Sequence, residues 1–267
     1  MDIGLSTASY FQKLQIEDAI LDIGAHGVPV CELFLNTFSE YEPAFVELLC
    51  ERLARTNTSV FSVHPMSMQF EPQLFSIHPR QREDALVLFE RVLAAGKRLG
   101  AHYYVMHGPA RLFGGVKNIE LARIAPIFLD LAERAQRYDI QLTLENVSWC
   151  VFNEPEFGAR LQALTGGAIK HTLDVKQAVR SGYDPMDYIR AVGEQIVNVH
   201  LCGVHYDMPG FGEYDFAAML NLLHEKGYCG PAFIEVYSDM YREIPTLYES
   251  LGRVEQIVSR SAYGNLI

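Results

Sequence analysis

The stretch Thr172-Leu173-Asp174-Val175 is followed by Asn198-Val199-His200-Leu201, with Asp174 and His200 26 residues apart. Each reads as the end of a short buried strand that finishes on a polar residue, and the interval between them suits one helix with its connections. The same signature recurs on either side. It appears in Phe61-Ser62-Val63-His64-Pro65, Val105-Met106-His107-Gly108-Pro109, Leu142-Thr143-Leu144-Glu145-Asn146 and Phe233-Ile234-Glu235-Val236. Six consecutive strands thus end on His, Glu or Asp, at intervals of 43, 38, 29, 26 and 35 residues.

Working outward, eight apolar and β-branched runs are predicted as strands: Ile3–Ser6, Val28–Leu35, Ser59–His64, Tyr103–His107, Gln141–Glu145, Ile169–Asp174, Ile196–His200 and Ala232–Val236. Several are apolar almost throughout, as expected of a parallel sheet covered on both faces. Between them lie stretches with helical spacing, such as Ala85, Phe89, Val92, Leu93 and Leu99, or Ile124, Ile127, Phe128, Leu131 and Ala135. Others are Ile16–Gly24, Pro43–Arg55, Pro155–Leu164, Pro185–Val192, Phe216–Lys226 and Ile244–Val258. Gly24, Gly100, Gly193 and Gly227 are expected at helix ends. Eight strand–helix units without a linker in 267 residues are the size of a (β/α)8 barrel, an α/β TIM barrel forming one domain over residues 1–267. A doubly wound open sheet would prefer a glycine-rich phosphate turn after the first strand, and none is present.

Composition narrows the function classes. Lys and Arg number 22 against 33 Asp and Glu, a net charge of −11, which opposes broad binding to a nucleic-acid backbone. Hydrophobic residues make up 49%, enough for a large core and too many for a disordered chain. The five cysteines (Cys31, Cys50, Cys150, Cys202, Cys229) are scattered and match no metal knuckle or redox pair. With no signal peptide and no apolar run long enough to span a membrane, the expected location is cytoplasmic, with reduced thiols.

In a parallel barrel the strand C-termini open on one face, so residues far apart in sequence converge there. Three carboxylates and a histidine in one cleft repel each other and are costly to bury unless a divalent cation offsets them. Glu145, Asp174, His200 and Glu235 form a mixed oxygen and nitrogen set suited to Mn²⁺, Co²⁺ or Zn²⁺. His64 and His107 are candidates for a second ion or for substrate contact. Glu32, in Val30-Cys31-Glu32-Leu33, is either a substrate hydrogen-bond acceptor or a solvated strand residue. Arg111 and Lys176 are candidate ligands for a substrate phosphate or carboxylate, with ordinary surface charge as the alternative, which is favoured for Arg180. His26, His78, His102, His171, His205 and His224 are expected at the surface, at strand starts or beside helices. Gly203–Asp215 reads as a long loop of the kind that forms lids. No phosphate-binding loop or dinucleotide fingerprint occurs, and Gly4-Leu5-Ser6-Thr7-Ala8 lacks the last glycine of a nucleophile elbow.

Taken with Leu173-Asp174-Val175-Lys176-Gln177 and Gly210-Phe211-Gly212-Glu213-Tyr214-Asp215, these strand ends resemble the xylose isomerase-like barrel superfamily over nearly the whole chain. That group joins sugar and sugar phosphate isomerases and epimerases, inosose dehydratases and metal-dependent abasic-site endonucleases. The resemblance to its ketose epimerases implies one divalent ion held by Glu145, Asp174, His200 and Glu235, with Glu145 and Glu235 exchanging the substrate proton. Gln177 stands where those enzymes place a sugar-contacting His, and Tyr206 where they place an Arg, so the substrate contacts differ. The endonucleases' trinuclear cluster needs a His at the position of Gln177 and an Asp-x-His where this chain has Asp207-Met208-Pro209. The expectation is therefore a metal-dependent isomerase or epimerase of a sugar, sugar phosphate or sugar-like polyol, working by proton transfer through an enediolate. An inosose-dehydratase-like lyase and an abasic-site endonuclease-like phosphodiesterase are the alternatives. A small carbohydrate is the expected partner, nucleic acid and membrane are disfavoured, and assembly into a homo-oligomer stays open.

Overall fold

The computed structural model describes residues 1–111, 121–205 and 207–266. Eight parallel strands close into a barrel in sequence order: β1 (Ile3–Ser6), β2 (Val30–Leu35), β3 (Ser59–Pro65), β4 (Tyr103–Met106), β5 (Gln141–Glu145), β6 (Lys170–Asp174), β7 (Ile196–Leu201) and β8 (Ala232–Ile234). Closure comes from β8 pairing with β1, Ile3 opposite Ala232 and Leu5 opposite Ile234. The helices among the described residues are α1 (Ile16–Ala25), α2 (Pro43–Leu53), α3 (Glu71–Leu74), α4 (Pro79–Leu99), α5 (Leu121–Gln136), α6 (Pro155–Thr165), α7 (Val175–Arg180), α8 (Pro185–Val192), α9 (Phe216–Glu225) and α10 (Pro245–Ser259).

The apolar stripes read from the sequence are the buried faces. Ala85, Phe89, Val92, Leu93 and Leu99 are buried on α4, and Ile124, Phe128, Leu131 and Ala135 on α5. Helices α2, α4, α6, α8 and α10 each open on a proline, whose fixed φ suits the first helical turn and whose missing N–H is no loss there. Gly100 and Gly227 end their helices in the left-handed region at φ +80°, as expected. Gly24 and Gly193 do not. Gly24 lies within α1, where a Cβ would collide with Thr56, and Gly193 is right-handed and presses on Lys226. At both, close packing rather than backbone conformation calls for glycine.

Strand ends differ from expectation where the polar residues act. Strand β2 begins at Val30, because Pro29 has no N–H to give the ladder. Strands β4 and β8 stop at Met106 and Ile234, so His107 and Glu235 sit just beyond them. Their N–H groups still bond, to Glu71 Oε2 (2.9 Å) and Leu201 O (3.0 Å).

The inside of the barrel is layered. At the N-terminal end Phe61, Tyr103 and Phe233 pack as a plug, with ring centroids 4.9 and 5.7 Å from Phe61. Gly4 makes room for it, since a side chain there would strike the Phe233 ring and the Val30 carbonyl. Above the plug the filling is polar. Ser6, Glu32, Ser62, Thr143, Thr172 and Asn198 are all buried, where barrels of this type usually carry branched apolar residues. Thr143 and Thr172 share a 2.9 Å hydrogen bond across β5 and β6. This layer supports the strand ends above it.

Candidate metal centre and active site

The six strand-end residues meet at one point above the polar layer. His200 Nδ1 lies 2.9 Å from Glu235 Oε2, 3.6 Å from Glu145 Oε1 and 3.9 Å from Asp174 Oδ2. Beside it, His107 Nε2 lies 2.9 Å from both His64 Nε2 and Glu145 Oε2. Glu145, Asp174 and His200 form one set of donor atoms close enough to share an ion, and His64, His107 and Glu145 form a second. Glu235 joins His200 in a third set with Glu32 and His64.

Several of these atoms are buried without a hydrogen-bond partner: His200 Nδ1, Glu145 Oε2, Asp174 Oδ2, Glu235 Oε2 and His64 Nδ1. They are close together but not in hydrogen-bond geometry. Leaving one such group unsatisfied costs about 1–3 kcal/mol, and more when it is charged. Three carboxylates and two imidazoles with such atoms, brought together in one buried space, fit a divalent cation.

The crowding of charge also shifts the titration of these groups. Burial alone would raise Glu145, yet His107 and His200 hold it well below the usual carboxylate range. Glu235 is likewise lowered by His200 and Lys176 against the effect of burial. Asp174 goes the other way. Burial pushes it up to about 7, with Lys176 opposing and Glu145 and Glu235 adding to the rise. Burial would lower His200, but the charges of Glu235 and Glu32 hold it well above its ordinary value.

Two of the donors are held from behind. Asp174 ends β6 and caps α7, its Oδ1 accepting the Gln177 N–H at 2.7 Å, which leaves Oδ2 for the centre. Glu71, fully buried on α3, accepts from the N–H groups of His107 (2.9 Å) and Gly108 (3.3 Å) and from the Tyr104 hydroxyl (3.0 Å). Ser67 Oγ engages His107 Nδ1 at 2.6 Å, so that ring turns its Nε2 to Glu145.

The other residues singled out in the sequence lie as follows. Lys176 is not surface charge. Its buried ammonium sits 3.4 Å from Asp174 Oδ2 and 3.8 Å from Glu235 Oε1, beneath the Tyr237 ring at 4.4 Å. Gln177 is buried and turned to Ser148, whose N–H and hydroxyl donate to its Oε1 at 3.2 and 2.9 Å. Glu32 is not solvated either; it is fully buried in the polar layer. Arg111 is exposed, its N–H bonded to the Trp149 carbonyl at 2.9 Å. Arg180 donates to the Tyr237 hydroxyl at 2.7 Å. Of the remaining histidines, His171 is fully buried in β6 against Phe152. The loop after β7 is tied to α10, with Ser250 Oγ donating to the Pro209 carbonyl at 2.6 Å and Arg253 stacked on Phe211 at 4.1 Å. Tyr206 lies outside the described residues.

Sequence reading missed Ser62, Asn198, Asn146, Ser67 and Glu71. A signal existed for the first two. Ser62 and Asn198 precede His64 and His200 by two positions, so strand alternation turns them to the same inner face. Glu71 and Ser67 carried none, since they reach the site from the segment between β3 and α4. A depression of about 430 Å³, lined by Phe61, His102, Tyr103 and Asp139 among others, lies at the opposite end of the barrel, and among the described residues no candidate metal set falls there.

A family model described as xylose isomerase-like TIM barrel matches residues 18–255. The chain belongs to that family. An uncharacterized protein of Mycobacterium leprae is 24% identical over an alignment of 269 positions that covers 90% of each chain. Two solved members of the fold are similar in structure. A D-tagatose 3-epimerase-like protein superposes with a TM-score of 0.81 at 18% identity, covering 97% of this chain and 98% of its own. The IOLI protein, solved with a bound zinc atom, gives 0.75 at 16% identity, covering 97% of each. At these identities the superpositions show the family fold.

Proposed function

We propose that the chain is a metal-dependent isomerase or epimerase acting on a sugar, sugar phosphate or sugar-like polyol. The carrying observation is the gathering of carboxylate oxygens from Glu145, Asp174 and Glu235 around His200 Nδ1, with Asp174 Oδ2, Glu235 Oε2 and His200 Nδ1 itself buried and unpartnered. These four residues would hold the ion, with Mn²⁺, Co²⁺ or Zn²⁺ all compatible with the donor types. When bound, such an ion supplies Lewis-acid polarisation of a carbonyl and its neighbouring hydroxyl. The protein supplies the proton traffic. Glu145 and Glu235 come from β5 and from just past β8, and both are held in the ionised form that accepts a proton. One removes the proton on the carbon next to the carbonyl, and the other, once it has taken up a proton from water, delivers one to the opposite face. Lys176 is committed to Asp174 and Glu235, which suits a counter-charge within the cluster better than a substrate contact. The epimerase-like and zinc-bearing relatives of this fold are consistent with the reading.

His64 and His107, with Glu145, make a second candidate ligand set, for a second ion or for substrate. This trio favours one other reading, a phosphodiesterase of the abasic-endonuclease type. Against it stand the net charge of −11 and the residues Gln177 and Pro209 in place of two histidine ligands. The test is solvent-deuterium exchange into a panel of ketoses and keto-polyols, followed by NMR, with metal content measured in parallel. Chelator-sensitive exchange and a product isomeric with its substrate are expected. A product lacking one oxygen would make the enzyme a lyase. Nicking of an abasic duplex without any sugar turnover would overturn the reading.

A further inference from the structure

Glu32 lies below the centre among three side-chain donors, with the His200 ring against one carboxylate oxygen and His64 Nδ1 3.6 Å from the other. Ser6 Oγ donates to its Oε1 at 3.1 Å, while Ser62 Oγ and Asn198 Nδ2 donate to its Oε2 at 2.7 and 3.0 Å. His200 Nε2 stands 3.1 Å from the same Oε2, and both side chains are fully buried. A register shift between Cys31 and Glu32 in the β2–β3 pairing lies at this residue, and such irregularities re-aim a side chain.

We infer that Glu32 is a positioning residue that fixes the ring of His200 with its proton on Nε2, leaving the Nδ1 lone pair to face the ion. The inference rests on the metal reading above. An imidazole binds a metal through one nitrogen only when the proton sits on the other, and a carboxylate behind the ring secures that choice. The rival arrangement has Asn198 Nδ2, 3.2 Å from Nε2, donating to a bare nitrogen. It would point the Nε2 lone pair at an ionised carboxylate and place a proton on Nδ1, where the ion belongs. Glu32 therefore reaches no substrate. It acts through His200, from a different strand and from beneath.

The experiment is a Zn²⁺ titration of the full chain by calorimetry, with bound zinc counted by mass spectrometry, for wild type, E32Q and E32D. It is joined by ¹⁵N NMR of the zinc-loaded protein labelled at histidine. An amide at position 32 permits the other ring tautomer, and the shorter aspartate draws its oxygens away from Nε2 while keeping the charge. Both substitutions are expected to weaken Zn²⁺ binding by about 10- to 100-fold, the range found for groups that orient metal-binding histidines. If E32Q does not fold, E32D carries the comparison. In the wild type the His200 Nε2 proton should be shifted strongly downfield and Nδ1 should show the shift of a metal-bound nitrogen. A purely structural role for Glu32 would move neither. Unchanged Zn²⁺ affinity in both variants, or His200 bound through Nε2, overturns the inference and leaves the metal reading standing. A wild type that binds no divalent ion overturns the metal reading, and this inference with it.

Discussion

Asn146 and Asp174 clasp each other across the ends of β5 and β6. The Asp174 N–H donates to Asn146 Oδ1 at 2.7 Å, and Asn146 Nδ2 donates to the Asp174 carbonyl at 2.9 Å. Both residues are fully buried. The pair locks the two neighbouring strands that carry two of the carboxylates of the centre. N146A leaves the buried Asp174 N–H unpaired, at about 1–3 kcal/mol unless water rescues it. The expected outcome is a lowered denaturation midpoint together with weaker metal binding, read by calorimetry. Unchanged stability would show that the clasp does not restrain the strand ends.

The proton-transfer assignment is checked by E145Q and E235Q, which keep side-chain size and remove the base. Each should lower kcat by about 10²- to 10⁴-fold, the usual contribution of a positioned acid or base. Glu145 also belongs to two of the three candidate ligand sets, so E145Q should lose metal as well. Full turnover and full metal content in both variants would remove these residues from the mechanism.

Lys176 makes a different kind of prediction. Its ammonium is buried and faces Asp174 and Glu235. K176M removes the cation and leaves the carboxylates uncompensated, a change that costs about 3–5 kcal/mol in buried pairs. Urea denaturation of the chelator-treated protein should show that loss. A variant as stable as wild type would mean that the carboxylates take up protons instead.

Metal removal tests the centre directly. A ligand that binds only the folded state stabilises it by about 2.7 kcal/mol at one hundred times its Kd. Treatment with EDTA should therefore lower the thermal midpoint and abolish turnover, and adding back Mn²⁺, Co²⁺ or Zn²⁺ should restore both. A midpoint indifferent to chelator and metal would count against a resident ion.

His171 supplies a pH dependence away from the centre. Its ring is fully buried, and burial lowers its pKa from 6.5 to about 4 against the smaller opposing effect of the Leu144 backbone. The unfolded chain takes up a proton near pH 6.5 that the folded chain refuses until about pH 4. The stability linked to this residue is therefore complete above pH 6.5 and falls as the pH drops toward 4. At 1.36 kcal/mol per pH unit the loss at pH 5 is about 2 kcal/mol. H171L should be at least as stable as wild type at pH 7 and gain on it at pH 5, measured by urea denaturation at both pH values. An unchanged gap between the two proteins would refute this.

The architecture was legible in the sequence because strand and helix leave different periodicities, and because a parallel barrel forces every strand to end at the same face. Those two facts brought His64, His107, Glu145, Asp174, His200 and Glu235 into one list from residues spread over 172 positions of chain. What the sequence by itself determined was the eight-unit order and the chemical type of each strand end. Tertiary structure decided the partnerships. Lys176 and Glu32 look like exposed charges in one dimension, and become a buried counter-ion and a floor beneath His200 only when other strands close around them. Glu71 reaches His107 across 36 residues, and Asn198 reaches Glu32 across 166. Strand periodicity tells which way a side chain points. It carries no information on what lies across the lumen, because a hydrogen bond depends on distances that only the closed barrel sets.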